Sequence, residues 1–276
     1  MMDAADQSWP VRLFSKSVLK QRKFQEITEL LGETDHLHCL DVGSDNGVIS
    51  YFLRKRGGIW KSADLDEKAV RSIRELVTSD VFEIDGRRTA FHDNEFDRVA
   101  IVDFLEHIHT DREFIGELFR IIKPGGELIL NVPHMKNSPL RRFRLAIGQT
   151  DEKHGHVRPG YTLNGLKALL ADKFTIVSYK TYSKFFSECI DTLITGGVNF
   201  LKTEAPSQKG PLVVGQDMHR HEKAFRMYSL IYPLVWFFAK IDDCLFWCSG
   251  YALIIKAKTN KSHLTDYERC QTQASA

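Results

Sequence analysis

Cysteine is scarce and unpaired in spacing. Cys39, Cys189, Cys244, Cys248 and Cys270 are the five in 276 residues, and no two form a C-x-x-C pair. That argues against a zinc site or disulfide framework and leaves reduced thiols as the expectation. Net charge is also nearly absent: 38 basic against 36 acidic residues give +2. Such a balance supplies no pull toward nucleic acid or acidic partners. The charge-free apolar run Leu230–Ala239 is too short to cross a bilayer, and Pro233 interrupts it. Asp3 and Asp6 stand where an export signal needs bases, with no apolar run behind them, so a cytoplasmic location is expected. Internal repeats are absent, and so is the G-x-G-x-x-G fingerprint of dinucleotide binding.

What is present is enough apolar residue, 43%, to bury a full-sized core. Strand signals at 37–42, 59–63, 81–84, 98–102, 126–132, 173–180 and 250–257 alternate with helix signals at 47–56, 67–77, 112–122 and 163–171. That rhythm predicts β-α-β units and a mostly parallel sheet covered on both faces. No helix of the usual length separates the last two strands cleanly, which suits an antiparallel edge pair. Five segments follow. Residues 1–36 form an N-terminal helical arm, with an amphipathic helix near Val18–Leu31 whose Lys20, Arg22 and Lys23 face water. Residues 37–180 form the α/β domain and 181–248 a helical insertion or cap. Residues 249–258 return as the final strand, and the polar tail 259–276 is expected to be disordered. The basic stretch 133–160 reads as a long irregular loop of the kind used as a lid.

The first strand, His38–Val42, runs into Gly43-Ser44-Asp45-Asn46-Gly47 and then a helix. A strand-to-helix turn at the carboxyl edge of an open sheet is the natural ligand cradle, and glycine lets backbone approach a ligand. Asp41 and Asp45 bracket this loop. Carboxylates there repel a pyrophosphate but welcome a sulfonium or ammonium cation. Asp64 ends the second strand about twenty residues on, where an acid can accept from both hydroxyls of a ribose. Asp66 and Glu67 beside it suit the cap of the next helix.

Asp85-Gly86, then Phe91-His92-Asp93-Asn94-Glu95-Phe96-Asp97, Asp103-Phe104-Leu105-Glu106-His107 and Lys123-Pro124-Gly125-Gly126 continue the series. Taken in order over residues 35–135, these pieces resemble the class I S-adenosylmethionine-dependent methyltransferases of the type 11 group. The group's pattern is D-x-G-x-G-x-G, an acid after strand two, F-x-D-x-x-F-D before strand four, D-x-L-E-H and L-K-P-G-G. The resemblance implies a Rossmann-like sheet of order 3-2-1-4-5-7-6 with the last strand antiparallel, here carrying a helical cap insertion. It implies S-adenosylmethionine as cofactor. Asp41, Gly43, Ser44 and Gly47 would line its methionine end, Asp64 would hold the ribose, and Leu65 would pack on the adenine. Asp85 would meet the adenine amino group with Gly86 giving it room, and Asp103 would face the methyl-transfer site. Asp45 departs from the pattern by replacing the middle glycine, although Asp tolerates left-handed backbone better than most residues.

Methyl transfer is an in-line displacement at an activated carbon and needs a base only when the acceptor must lose a proton. His107, His134, His154 and His156 fall where an acceptor would lie, and His156 and His107 are the residues expected to act there. No resident metal is expected, although Asp103, Glu106 and His107 have a second reading as a metal trio like that of some quinone O-methyltransferases. The acceptor is expected to be a small or lipid-like molecule methylated at oxygen or carbon. Nucleic acid is not expected, because the Asn/Asp-Pro-Pro-aromatic run of adenine amino-methyltransferases is missing. The alternative is a non-catalytic scaffold that keeps the cofactor fold. Within the insertion, residues 224–239 place Tyr228, Tyr232 and Trp236 four apart on one helix face near Lys223, Arg226 and Lys240. That pattern fits core packing, a second subunit, or a peripheral contact with a membrane surface.

Overall fold

The computed structural model describes residues 8–147, 150, 155–201 and 218–261. A seven-stranded sheet of order β3-β2-β1-β4-β5-β7-β6 forms its centre, as the resemblance implied. The strands are β1 (His38–Val42), β2 (Ile59–Asp64), β3 (Val81–Glu83), β4 (Phe96–Val102), β5 (Ile122–Pro133), β6 (Phe174–Tyr182) and β7 (Ala252–Thr259). β1 pairs parallel with β2 and β4, and β7 runs antiparallel between β5 and β6. The strand order reverses direction at β1, so the turn that follows β1 opens at the crevice where such sheets bind ligands.

Alternation along each strand divides the core between the two faces. Leu40, Val42, Val99, Ile101, Leu128 and Leu130 pack on one side, while Cys39, Ala100, Val102 and Ile129 pack on the other. The covering helices start and stop where their caps dictate. Asp66 accepts from the amide of Ala69 at 2.8 Å to open α4 (Glu67–Val77), and Thr162 accepts from that of Gly165 at 3.0 Å to open α7 (Leu163–Leu170). α3 (Val48–Arg54) follows the glycine turn, and α5 (Asp111–Ile121) links β4 to β5.

The N-terminal arm holds a short helix α1 (Trp9–Phe14) and α2 (Val18–Leu31), which ends at Gly32. Ile27 and Leu31 are buried, and α2 packs across β4, β5 and β7. Its lysines depart from the sequence reading. Lys23 turns inward to an ion pair with Asp103, Lys20 lines the same cavity, and Arg22 pairs with buried Glu26 at 2.8 Å. The reason is that α2 lies over the carboxyl edge of the sheet, where acids collect.

Residues 133–160 are less irregular than expected, for α6 (Pro139–Ala146) forms within them, capped by Ser138 and with Pro139 in its first turn. α8 (Phe185–Leu201) and α9 (Met218–Ile241) fall between β6 and β7 in the chain. Buried Asp242 ties α8 down, accepting from the amides of Lys184, Phe186 and Ser187 at 2.8–2.9 Å. Of the tail expected from 259, Thr259 closes β7, and the part beyond 261 lies outside the described residues.

Candidate cofactor and acceptor site

The loop after β1 is built from beneath. Asp41 is fully buried; one of its oxygens accepts from the hydroxyls of Ser44 (2.6 Å) and Ser50 (2.5 Å), the other from Ser62 (2.7 Å), with Arg54 at 3.5 Å. The structure therefore places Asp41 under the loop, where it fixes Ser44 and the start of α3. Gly43 (φ +93°) admits no side chain, since a Cβ would lie 2.2 Å from the carbonyl oxygen of Val102 on β4. Asp45 takes φ +51°, the left-handed conformation expected of it, and donates its amide to Asp64 at 3.1 Å. Asp64, also fully buried, accepts from the amide of Leu65 at 2.7 Å with its other oxygen. The acid after β2 thus reaches across the turn and holds the glycine loop to the end of its neighbouring strand.

Beyond β3, Asp85 is exposed and accepts from the amides of Arg87 (2.8 Å) and Arg88 (3.0 Å), which hold its carboxyl below the ordinary carboxylate range. Gly86 has φ +74°, and a Cβ there would meet Ile108 at 2.6 Å and Leu65 at 3.3 Å. Leu65 and Ile108 consequently pack directly on the backbone of Gly86, an approach only glycine allows.

Asp103 directly follows β4 at φ +44°, facing a cavity of about 440 Å³. Asn131 donates to it at 2.7 Å, and the Tyr182 hydroxyl donates to Asn131 at 2.6 Å. Its other oxygen takes the Lys23 ammonium. Burial pushes the Asp103 carboxyl up, but Lys23, with His107 and His156 beyond, outweighs burial and holds it below the ordinary range. Burial likewise pushes Tyr182 well above its ordinary value, so it stays a phenol and a donor. Sequence reasoning missed Lys23, Asn131 and Tyr182. Only Asn131 carried a local signal, as a polar residue inside the apolar run Glu127–Val132.

Glu106 and His107 sit on a single 3₁₀ turn, Leu105–His107, after β4. His107 Nδ1 lies 3.0 Å from the carbonyl oxygen of Gly155. Because a carbonyl only accepts, Nδ1 carries a proton. The His156 ring stands edge-on to His107 with centroids 4.9 Å apart. Segment 155–161 is fastened over this turn by Val157 to the Glu106 carbonyl (2.8 Å), Tyr161 to Asp111 (2.9 Å) and an Arg158–Asp111 ion pair. Glu106, His107 and His156 bring ligand-type atoms within 4.8 Å of one another and could hold a metal ion. Asp103, the third member of the trio read from sequence, is not in that group. His134 lines the cavity and faces the Gly250 carbonyl at 2.9 Å, whereas His154 lies outside the described residues.

The site thus joins the loop after β1, the ends of β2 and β4, the turn 105–107, segment 155–161 and the arm helix α2. A family model described as "Methyltransferase domain" matches residues 40–130, the stretch that carries most of these elements. A ubiquinone biosynthesis O-methyltransferase from Thiobacillus denitrificans is 29% identical over 99 residues, which is 32% of this chain and 40% of that protein. A demethylmenaquinone methyltransferase from Corynebacterium glutamicum is 33% identical over 89 residues, 32% and 38% of the two chains. The chain thus spans about two fifths of the length of these curated relatives. In fold, a putative methyltransferase from Bacillus halodurans superposes with TM-score 0.52 over 86% of this chain and 98% of its own, at 15% identity.

Proposed function

Given that the chain carries a class I S-adenosylmethionine-dependent methyltransferase domain, we propose that it methylates an oxygen or carbon of a small, lipid-like acceptor. The observation that carries this reading is the acid-lined glycine turn at the sheet's switch point, where Asp45 and Asp103 border one cavity. Carboxylates in that place suit a ligand bearing a sulfonium and an ammonium group and oppose one bearing phosphates. Bound S-adenosylmethionine supplies an activated methyl group. Asp64 and the loop from Gly43 to Gly47 would hold its ribose and methionine end, Leu65 and Gly86 would take the adenine with Asp85 at its edge, and Asp103 would face the sulfonium.

The acceptor would occupy the remaining cavity, toward His107 and His156. Nε2 of His107 is oriented by the Gly155 carbonyl to take a proton from an acceptor hydroxyl, with His156 beside it. The relatives named for ubiquinone and demethylmenaquinone support a small organic acceptor.

A surface feature adds membrane contact to the proposal. Tyr232 and Trp236 stand beside α2: Tyr232 donates to Gln21 at 3.4 Å with Lys16 over its ring, and Trp236 lines a pocket with Val18. The helix exposes Leu230, Ile231, Leu234, Trp236, Phe237 and Phe238, next to exposed Phe246 and Trp247. Among the described residues no helix is long and apolar enough to cross a membrane, so such contact would be peripheral.

Thermal-shift titration tests the cofactor. S-adenosylhomocysteine should raise the melting temperature and NAD should not; the reverse pattern would overturn the reading. Incubating the protein with cell extract and methyl-tritiated cofactor tests the transfer. A labelled organic-soluble product is expected, while cofactor binding without any product would point to a non-catalytic module.

A further inference from the structure

The Lys23–Asp103 pair sits where two demands collide. Asp103 is the acid that, on the function proposed above, faces the cofactor's cationic centre, and α2 already fills that place with a cation of its own. The ammonium comes from an element outside the α/β unit, 80 residues away in sequence. Burial pushes Lys23 down, but Asp103, through charge and hydrogen bond, outweighs it and holds the ammonium charged.

Charge around the cavity shows what a second cation would do. Five acids and five lysines or arginines line it. Several are matched across the wall: Lys23 with Asp103, Lys136 with Glu188 at 2.9 Å and Arg144 with Asp191 at 3.1 Å. S-adenosylmethionine brings a net positive charge, because its sulfonium and ammonium outnumber its carboxylate. In a partly buried site that excess is expensive unless an anion accompanies it. Lys20, three residues before Lys23 and so on the same face of α2, lines the same cavity. Burial pushes its ammonium below the ordinary value, only partly offset by Asp45. An anion beside Lys20 and Lys23 would relieve both.

We propose that Lys23 exchanges partners: it occupies Asp103 in the cofactor-free protein and, once the cofactor's cation takes Asp103, joins Lys20 in seating an anionic group of the acceptor. The proposal rests on the cofactor reading above and adds to it the acceptor's chemistry, a carboxylate or phosphate on a body of partly apolar character, given that Leu19, Val132 and Leu145 also line the cavity. Binding is then ordered, because the anion seat is complete only after Asp103 has been surrendered by Lys23. Lys23 is accordingly a specificity residue rather than a proton carrier.

Calorimetry with S-adenosylmethionine, which carries the sulfonium, tests the first half. K23M removes an internal competitor and should tighten binding about tenfold, equivalent to about 1.4 kcal/mol, whereas K23R keeps a cation and should bind as the wild type does. Absence of binding by the wild-type protein would bring down the cofactor reading itself. Wild-type binding with equal or weaker binding by K23M would overturn this proposal alone. Ligand-observed NMR tests the second half with two probes, inorganic phosphate and benzoate. At least one should bind the S-adenosylmethionine complex of the wild type, and neither should bind the free protein or the complex of K23M. The probe that binds tells phosphate from carboxylate. Binding by neither, or binding indifferent to cofactor or to K23M, refutes the anion seat.

Discussion

Asp64 shows how one residue can serve the fold and the ligand together. It is fully buried, and its two oxygens accept from the amides of Leu65 and Asp45. On the proposed function, the same carboxylate would accept from the ribose hydroxyls while it pins the loop. Asp64→Ala should weaken S-adenosylhomocysteine binding by tenfold to a hundredfold, since hydrogen bonds to a charged group contribute about 1.5–3 kcal/mol. Calorimetry reads the affinity, and circular dichroism confirms that the sheet survives. Unchanged affinity in a folded variant would remove Asp64 from the site. Asp41 is the contrasting case. Resemblance alone puts it on the cofactor, but three serine hydroxyls and Arg54 already surround its carboxylate. Ser44, Ser50 and Ser62 were visible in the sequence, but their convergence on one acid appears only when β1, β2 and α3 are assembled.

At the scale of elements, legibility follows how local the determinants are. The α4 limits, 67–77, and the α2 limits, 18–31, were readable because Asp66 caps the one and Ser17 and Gly32 bound the other. The sheet order was readable through ordered motifs that mark successive strand ends. α6 was not readable, because it buries no residue and its Arg141, Arg142 and Arg144 hide any apolar stripe. Nor could Lys23 be paired with Asp103, or Asn131 with Tyr182, since contacts across the fold leave no trace in local pattern. The cap depends on a contact of the same long-range kind. Asp242 receives three amides at the start of α8, from residues 55 to 58 positions earlier. Losing a helix cap costs about 0.5–2 kcal/mol, and stranded buried donors add to that. Asp242→Ala should therefore loosen the cap selectively: limited proteolysis should cut within 185–241 sooner, while S-adenosylhomocysteine still binds the α/β domain. Cleavage at the wild-type rate would show that α8 is held by packing alone.

For the whole molecule, the distribution of exposed apolar groups sets the cap apart from the domain it covers. Among the described residues outside the cap and the α6 segment, large exposed apolar side chains are few and spread out, as at Ile59, Val157 and the β6 pair Val177 and Tyr179, which is ordinary for a protein surface. Within them the exposed groups gather: Phe143, Leu145 and Ile147 on and after α6, six on α9 from Leu230 to Phe238, and the edge-stacked pair Phe246–Trp247. Lys240 lies over the Trp236 ring, 5.8 Å from its centroid, an arrangement that keeps an ammonium at the edge of an apolar face. The same elements border the acceptor cavity through Arg141, Arg144 and Leu145, so a bilayer surface against the cap would bring a lipid-like acceptor to the cavity without passage through water. Flotation with phosphatidylcholine vesicles measures this. The wild-type protein should float with the lipid, and F246S/W247S, which truncates two of the most exposed rings at no cost to the core, should stay largely at the bottom. Added phosphatidylglycerol should strengthen flotation only modestly, since the net charge of the chain is +2 and the exposed cap residues are mainly apolar. Failure of the wild type to float on either lipid would refute membrane contact and leave the apolar face to a second protein surface.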